Sequence, residues 1–221
     1  FPSIKQISVS DFSDHLFDQI NDLGVEFDVD EVTKIVKDDD NGVFKLTTLY
    51  REYIARTVVL ANGVKHRLLG LPNEENLIGN GISMCAVCDG PMLKGKEAYL
   101  IGDANTALQY AILLSDYCTK VHMFTLFDRF FGDEILWKKV LDKENIYVTH
   151  NMSLIEYKGE SKLTGLVFQN TIDKTKTEYQ TDNVFVCIGQ IPQNDRFADL
   201  LVLEKGYVVT NENMETKTRG I

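Results

Sequence analysis

The sequence predicts an α/β protein with buried parallel strands. Three apolar runs, at residues 56–60, 97–101 and 183–188, each lead into a glycine loop. Strands of parallel sheets are hydrophobic along their whole length, and ligands lie where such strands end. With 221 residues, the chain is long enough for about one or two domains with cores of their own.

The segment before the first apolar run predicts a helix and several short strands. Apolar residues recur at helical spacing at Phe12, Leu16, Phe17 and Ile20. Ser10 or Asp11 is expected to cap this helix, and Gly24 to end it. Strands are predicted over 25–29, 31–38 and 43–50, the last of them after a turn signal at 40–42.

The rest of the chain predicts a βαβ unit with further strands after it. A strand at 97–101 runs into a glycine turn, a helix extends to about Tyr117, and the next strand covers 120–124. Residues 70–73 are interpreted as the hinge between two domains. Another helix is predicted over 133–143, and strands over 146–149, 154–158, 163–169 and 178–180.

The cysteines Cys85 and Cys88 carry the most specific chemical signal. They are two residues apart, so they can close a small disulfide ring that can be reopened. Thiolate is the reactive form, and this spacing favours it at one of the two sulfurs. Asp89 follows directly and is placed to give a proton to a leaving thiolate. The turn at Gly90 and Pro91 is expected to fix that acid.

The alternative for a C-x-x-C pair is half of a zinc site. A closed zinc site needs four ligands. The other cysteines, Cys118 and Cys187, are solitary, and we interpret them as small core residues. The histidines are scattered without pair spacing: His15, His66, His122 and His150. The ligand count therefore favours redox chemistry, and no metal site is predicted.

The composition excludes several classes of function. The net charge of −10 leaves no basic patch for nucleic-acid phosphates, and no apolar run approaches the length of a membrane span. Four cysteines do not form a secreted disulfide scaffold, and the first five residues lack the apolar core of a signal peptide. A reducing cytoplasm is predicted.

The glycine turn of the βαβ unit departs from a dinucleotide-binding turn. Its three key positions hold Gly102, Ala104 and Ala107, so a Cβ stands where a pyrophosphate would touch the backbone. Asp103 is expected to cap the helix and to repel a phosphate, by about 4 kcal/mol per unit charge at about 4 Å. Poor nucleotide affinity is therefore predicted.

The next strand ends without the charged residues that hold a ribose or its phosphate. It continues through Thr125, Leu126 and Phe127, and Arg129 is the one arginine before Phe131. Core packing is the favoured interpretation of these aromatic residues. The alternative is a nucleotide pocket that aromatic residues fill or reshape for another partner.

Together these stretches resemble the low-molecular-weight thioredoxin reductases, which are FAD-containing disulfide reductases. The match rests on residues 57–63, 70–72, 85–90 and 185–192, with 101–117 also aligned, and it covers nearly the whole chain. The redox core at 85–90 is highly specific in this context.

The resemblance implies two Rossmann-like domains, of which the second is inserted in the first. Residues 1–70 would be the middle of an FAD-binding domain, and 71–190 an inserted NAD(P)H-type domain with the redox-active cysteines. Residues 191–221 would return to the FAD domain. The N- and C-terminal parts of that domain would lie beyond this chain, which leaves open whether the chain alone retains FAD. Family members are homodimers.

The resemblance also implies roles for individual residues. Cys88 would exchange electrons with the flavin, and Cys85 would attack the disulfide of thioredoxin. Asp89 would supply and recover the proton. The residues expected beside FAD are Ala61, Asn62, Gly63 and Gly189. Relatives usually have threonine in place of Asn62.

The departures at Asp103, Ala104 and Phe131 leave the electron donor open. Members fed by ferredoxin resemble this chain in lacking the NADPH residues, so ferredoxin is the leading hypothesis and NADPH the alternative. A ferredoxin is usually acidic and would need a basic face; Lys138, Lys139 and Lys143 could supply one, although a solvated helix face is the favoured interpretation. A non-enzymatic domain that senses redox state or binds a partner is a third hypothesis.

Overall fold

The computed structural model describes residues 7–221, apart from the side chain of Val9. The helices are α1 (Val9–Asp22), α2 (Glu74–Leu77), α3 (Ala86–Asp89), α4 (Asn105–Ser115) and α5 (Glu134–Leu141). The strands are β1 (Val32–Asp38), β2 (Val43–Thr48), β3 (Glu52–Ala55), β4 (Val64–His66), β5 (Ile82–Ser83), β6 (Glu97–Ile101), β7 (Lys120–Phe124), β8 (Ile146–Thr149), β9 (Met152–Lys158), β10 (Gly165–Asn170), β11 (Lys176–Gln180), β12 (Val184–Val186), β13 (Gln190–Pro192), β14 (Leu203–Glu204) and β15 (Tyr207–Val208). Within the described residues, no helix is long and apolar enough to cross a bilayer.

The chain divides into two compact units. One contains the described residues up to Ala61 together with Asn194–Ile221, and the other contains Asn62–Gln193. The domains expected from the sequence were 1–70, 71–190 and 191–221, and the two units differ from those bounds over 62–70 and 191–193. The assignment of those domains to particular cofactors remains a prediction.

In the first unit, the predicted N-terminal helix is present as α1, but its cap is a different residue. Ser8 precedes the helix, and its Oγ accepts a hydrogen bond from the backbone N–H of Asp11 at 3.0 Å. The prediction of Ser10 or Asp11 as the cap was wrong because the helix begins before both of them. Gly24 follows the end of the helix with a φ of +67°, as a helix-ending glycine does.

The same unit contains an antiparallel sheet in the order β1-β2-β3, which confirms strands within 31–38 and 43–50. The strand predicted over 25–29 is absent, and Val25, Phe27 and Val29 are exposed. The strand predicted over 56–60 is also absent. Val58 and Leu60 pack against the core of this unit, but Val59 is 91% exposed and the run pairs with no sheet.

The second unit is built on a five-stranded parallel sheet in the order β5-β12-β6-β7-β8. A three-stranded antiparallel sheet, β9-β10-β11, forms a separate layer. The βαβ unit β6-α4-β7 is confirmed, as are helix α5 and the later strands, each with its ends shifted by a few residues. The parallel sheet confirms the predicted α/β fold class.

Strand β6 shows how the sequence pattern builds these layers. Alternate side chains of a strand point to opposite faces. Ala98 and Leu100 pack in the core that contains the buried residues of α4 and α5. Tyr99 and Ile101 pack in a second core with the buried residues of the antiparallel sheet. All four are buried, so the strand has no hydrophilic face.

The glycine at the end of β6 is required by close packing. Gly102 has a φ of +149°, and a Cβ built on it would lie 2.4 Å from the carbonyl oxygen of Cys187 and 2.7 Å from Cβ of Ala107. The turn therefore brings the end of β6, the segment after β12 and the first turn of α4 into direct contact. A side chain here would separate them.

We predict that Gly102→Ala destabilises the second unit far more than Gly79→Ala does. Both glycines have a positive φ, but a Cβ on Gly79 would meet no atom within 4 Å. The control therefore measures backbone strain alone, about 1 kcal/mol, and the clash at Gly102 adds about 2 kcal/mol or more. Urea unfolding followed by circular dichroism measures both. Equal losses in the two variants would contradict the tight turn.

Candidate functional site

The cysteine pair lies at the carboxyl end of an edge strand of the parallel sheet. Strand β5 ends at Ser83, and Cys85 is the residue that precedes α3. Cys85 and Cys88 form a disulfide with their Cα atoms 5.3 Å apart. Cys85 is half-buried and Cys88 is exposed. The predicted disulfide is thus present, and it joins a half-buried cysteine to an exposed one.

The local backbone holds the Cys85 sulfur in a defined position. The backbone N–H of Cys88 donates a hydrogen bond to Cys85 Sγ at 3.2 Å, as in an N-cap. A donor aimed at a sulfur stabilises it when it carries negative charge. This N–H therefore holds the Cys85 sulfur at the start of α3.

Asp89 is held on the same loop by a serine. Asp89 Oδ2 accepts a hydrogen bond from the Ser83 hydroxyl at 2.6 Å, and the Asp89 backbone N–H donates to the Cys85 carbonyl at 3.0 Å. Ser83 had no assigned role in the sequence analysis. Nothing in the sequence shows that α3 turns back toward β5, which is what brings residue 89 to residue 83.

A cavity of about 220 Å³ adjoins the acid. Ser83 and Asp89 both line it, together with Met92, Asp182 and Asn183 among others. Its size allows water molecules to enter, since one water needs only about 10–15 Å³ of accessible space, and these polar residues offer hydrogen-bond partners within a mainly apolar lining. The Asp89 carboxylate therefore has a route for exchanging a proton with solvent.

The glycine turn differs from its prediction in one important respect. The residue that precedes α4 is Ala104, and no side chain caps this helix. The prediction that Asp103 caps α4 was therefore wrong, because Asp103 lies one residue too early. Its carbonyl oxygen accepts a hydrogen bond from the Phe131 N–H at 2.7 Å. Burial raises the pKa of the Asp103 carboxyl above its usual range.

The segment after β7 folds against the start of α4. The Asn105 side chain accepts the Asp133 N–H at 2.7 Å and donates to the Asp133 carboxylate at 3.0 Å. Gly132 lies so close that a Cβ on it would be 2.6 Å from Asn105 Oδ1. These contacts fix the segment that follows Thr125 over the first turn of the helix.

The aromatic residues of this segment are only partly core residues. Phe130 packs against His150, with ring centroids 5.2 Å apart. Phe127 and Phe131 form an edge-to-face pair at 5.3 Å, but each is 50% exposed. Arg129 lies over the Phe131 ring at 5.0 Å. The favoured prediction of core packing is therefore wrong for Phe127 and Phe131, which form an exposed aromatic patch beside α4.

The residues predicted to contact FAD lie near the short ribbon of β4 and β13. Pairing of Val64 with Pro192 and of His66 with Gln190 places Gly63 and Gly189 at opposite ends of this ribbon. Asn62 donates from Nδ2 to the Gln193 carbonyl at 3.1 Å. Ala61 belongs to the first unit. The structure thus brings three of the four to one ribbon, without any contact among them that defines a site.

The two remaining cysteines have thiols that burial makes unreactive. Cys118 is buried, and burial raises the pKa of its thiol. Cys187 is partly buried beside the helical core, and burial raises its pKa to about 12. Both thiols therefore stay neutral and weakly nucleophilic at neutral pH. Within residues 7–221, no cluster of His, Cys, Asp and Glu could hold a metal ion.

Comparison with known proteins assigns this fold and motif to a family. The profile of the pyridine nucleotide-disulphide oxidoreductases matches residues 4–221. The chain belongs to this family. It is similar to the thioredoxin reductase of Bacillus subtilis, with 30% identity over 223 residues, which cover 100% of this chain and 70% of that protein. The thioredoxin reductase of Listeria monocytogenes is 31% identical over 224 residues, covering 100% and 69%.

Solved structures show the same relationship. The thioredoxin reductase of Lactococcus lactis superposes with a TM-score of 0.89 at 28% identity, covering 100% of this chain and 73% of that one. The thioredoxin reductase of T. acidophilum superposes with a TM-score of 0.85 at 26% identity, covering 100% and 72%. The α/β fold described above therefore matches that of solved thioredoxin reductases.

Proposed function

We propose that this chain is the disulfide-exchanging part of a thioredoxin reductase, and that its substrate is the disulfide of a thioredoxin. The observation that carries this proposal is the Cys85–Cys88 disulfide with Asp89 beside it, at the carboxyl end of β5. Relatives with that name align with the whole chain. A cytoplasmic homodimer follows from the resemblance and forms part of the proposal.

The exchange begins from the reduced pair. Cys85 first loses its proton to the solvent. Its thiolate then attacks one sulfur of the partner's disulfide and forms a mixed disulfide. The other partner sulfur leaves and takes a proton from the Asp89 carboxyl. Cys88 then gives its proton to Asp89 and attacks Cys85 Sγ. The second partner sulfur departs as a thiolate that solvent protonates. Two electrons pass to the partner, and the Cys85–Cys88 disulfide is restored.

Two glycines of the β4–β13 ribbon support the proposal that this part of the protein binds FAD. A Cβ built on Gly63 or Gly189 would meet no atom within 4 Å, and both have a positive φ, so their backbone is open to a ligand. In the full-length protein, we propose that these glycines, with Asn62 and Ala61, hold FAD. When bound, FAD supplies the two electrons that reopen the disulfide. The exposed Cys88 is the sulfur proposed to receive them.

The first test measures thioredoxin reduction by this chain without any cofactor. The chain is reduced with dithiothreitol, desalted and mixed with oxidised thioredoxin, and thiol formation is followed in a single turnover. We predict that Cys85→Ser lowers the rate by at least about 100-fold, because no thiolate attacks the partner. Cys118→Ser, a matched change at a buried thiol, is expected to keep the wild-type rate.

Equal rates for wild type and Cys85→Ser would remove the dithiol mechanism. Such a result would favour the non-enzymatic hypothesis, in which the domain binds a partner or senses redox state. Metal analysis of the purified chain checks the zinc alternative at the same time, since zinc bound by Cys85 and Cys88 would also abolish exchange.

For the electron donor, the comparisons favour the ordinary pyridine nucleotide over the ferredoxin that led in the sequence analysis. The family is named for pyridine nucleotides, and the relatives reported above are thioredoxin reductases without mention of ferredoxin. The absence of a side-chain cap on α4 removes one objection, because its first N–H groups stay available to a phosphate. We therefore propose NADPH as the donor.

Ferredoxin remains the second candidate because of the residues around α4. Asp103 lies next to the residue that precedes α4, and the resemblance implies arginines where this chain has Phe127 and Phe131. The lysines of α5 and of the turn after it, however, offer an acidic ferredoxin little net positive charge. Lys138 lies 2.6 Å from Glu134, and Lys143 lies 2.8 Å from Asp116, so two of the three lysines are neutralised locally.

We predict that Asp103→Asn tightens NADPH binding by about threefold or more, because it removes repulsion of the pyrophosphate. Asp142→Asn removes one exposed charge at the end of α5 and serves as the control for net charge. Quenching of Trp137 fluorescence or NADPH fluorescence measures the dissociation constants. No detectable binding by wild type and Asp103→Asn alike would contradict NADPH and restore ferredoxin.

A further inference from the structure

Ser83, the last residue of β5, contacts both Asp89 and Cys85, which its position in the sequence does not predict. Its hydroxyl donates to Asp89 Oδ2 at 2.6 Å and accepts the backbone N–H of Cys85 at 3.1 Å. The same oxygen lies 3.4 Å from the Cys85 carbonyl. One half-buried side chain therefore touches both the acid and the backbone of the attacking cysteine.

The fold fixes this hydroxyl from the strand side. Ser83 pairs with Phe185 of the buried strand β12, so the backbone of Ser83 belongs to the parallel sheet. Asp89 and Cys85 lie on the loop and short helix beyond the strand, linked by the Asp89 N–H to Cys85 carbonyl bond at 3.0 Å. The serine is thus the point where the rigid sheet holds the reactive loop.

The cavity beside Ser83 and Asp89 gives the carboxyl access to water. A carboxyl that gives up a proton must regain one, and the 220 Å³ cavity opens beside it. While the carboxyl is ionised, a hydroxyl that donates to it stabilises the charge and fixes its direction. Asn183 and Asp182 also line this space, so polar groups other than Ser83 and Asp89 lie within a mainly apolar lining.

We propose that Ser83 is a positioning residue that aims the Asp89 carboxyl at the leaving sulfur and stabilises it after proton transfer. This inference rests on the proposed role of Asp89 as the proton donor. During exchange, the leaving thiolate takes the proton from Asp89. The carboxylate then keeps the Ser83 hydrogen bond until it regains a proton, from the Cys88 thiol during resolution or from water in the cavity.

The test compares two small disulfides, so that it does not depend on thioredoxin. The reduced chain is reacted with 2-hydroxyethyl disulfide, whose alkyl thiolate leaves poorly unless protonated, and with DTNB, whose aromatic thiolate leaves readily without a proton. Ser83→Ala is expected to slow the first reaction about fivefold at pH 7, as loss of one hydrogen bond allows, and to change the second less than twofold.

The pH profile gives a readout that a purely structural role would not change. The rate with the alkyl disulfide is measured across pH, and the shape of its profile should change in Ser83→Ala because the leaving thiolate loses its aimed proton donor. The profile with DTNB should keep its shape, since that leaving group needs no proton. Ser83→Thr keeps the hydroxyl and is expected to restore both rate and profile. Ser115→Ala removes a part-buried hydroxyl that bonds only the Ile112 carbonyl, at 2.6 Å, and should change neither.

Three outcomes would overturn the inference. One is a wild-type rate and profile in Ser83→Ala. Another is an equal slowing with both disulfides, which would show general damage to the loop. The last is a failure of Ser83→Thr to restore the rate when its thermal unfolding midpoint equals that of wild type. Failure to reduce thioredoxin, with these small-disulfide results intact, would instead contradict only the proposed substrate.

Discussion

The pairing of the short strand β12 with its two neighbours is the constraint on which the candidate site depends. Val184 and Phe185 pair with β5, and Phe185 and Val186 pair with β6, all in parallel. The three β12 residues are buried. Because parallel strands end at the same edge of a sheet, this arrangement places the cysteine loop, the Cys187 segment and the glycine turn side by side.

That edge explains why the chemistry and the tight packing occur together. The carbonyl of Cys187 lies against Gly102, and the loop beyond β5 carries the disulfide and its acid. Behind the edge, the strands are buried on both faces, by helices on one side and the antiparallel sheet on the other. A site built on such strands keeps its geometry while a neighbouring loop is exposed to a partner.

The parts of the structure that follow from periodicity were predictable. Strand β6, helix α4 and strand β7 have apolar residues at the spacing of a buried strand, a helix and a second buried strand. The spacing of Cys85 and Cys88 directly allows a disulfide. The run at 56–60 shows the limit of this reasoning. Its β-branched residues predict a strand, but a strand also needs an adjacent strand with which to pair. Here the Val58 N–H donates to the Gly220 carbonyl at 2.8 Å instead.

The disulfide of the candidate site was predictable, and the contacts that hold the surrounding residues in place were not. Whether a side chain can cap a helix depends on the residue at which the helix begins. For α4 the N-cap position is Ala104, one residue after Asp103, and no side chain caps the helix. Ser83 is six residues before Asp89, and only the reversal of the chain between them makes the contact. The assignment of electron donor and of flavin contacts depends on such details, which is why they remain proposals.

The central claim is that Cys85, the less exposed cysteine of the pair, attacks the partner, and trapping of the mixed disulfide tests it. In a Cys88→Ser chain, no thiol remains to resolve the mixed disulfide, so mixing with thioredoxin that carries one reactive cysteine activated as a DTNB adduct should leave a covalent complex. Mass spectrometry of its peptides is predicted to find Cys85 joined to thioredoxin. A complex that forms with Cys85→Ser through Cys88, and not with Cys88→Ser, would contradict the account.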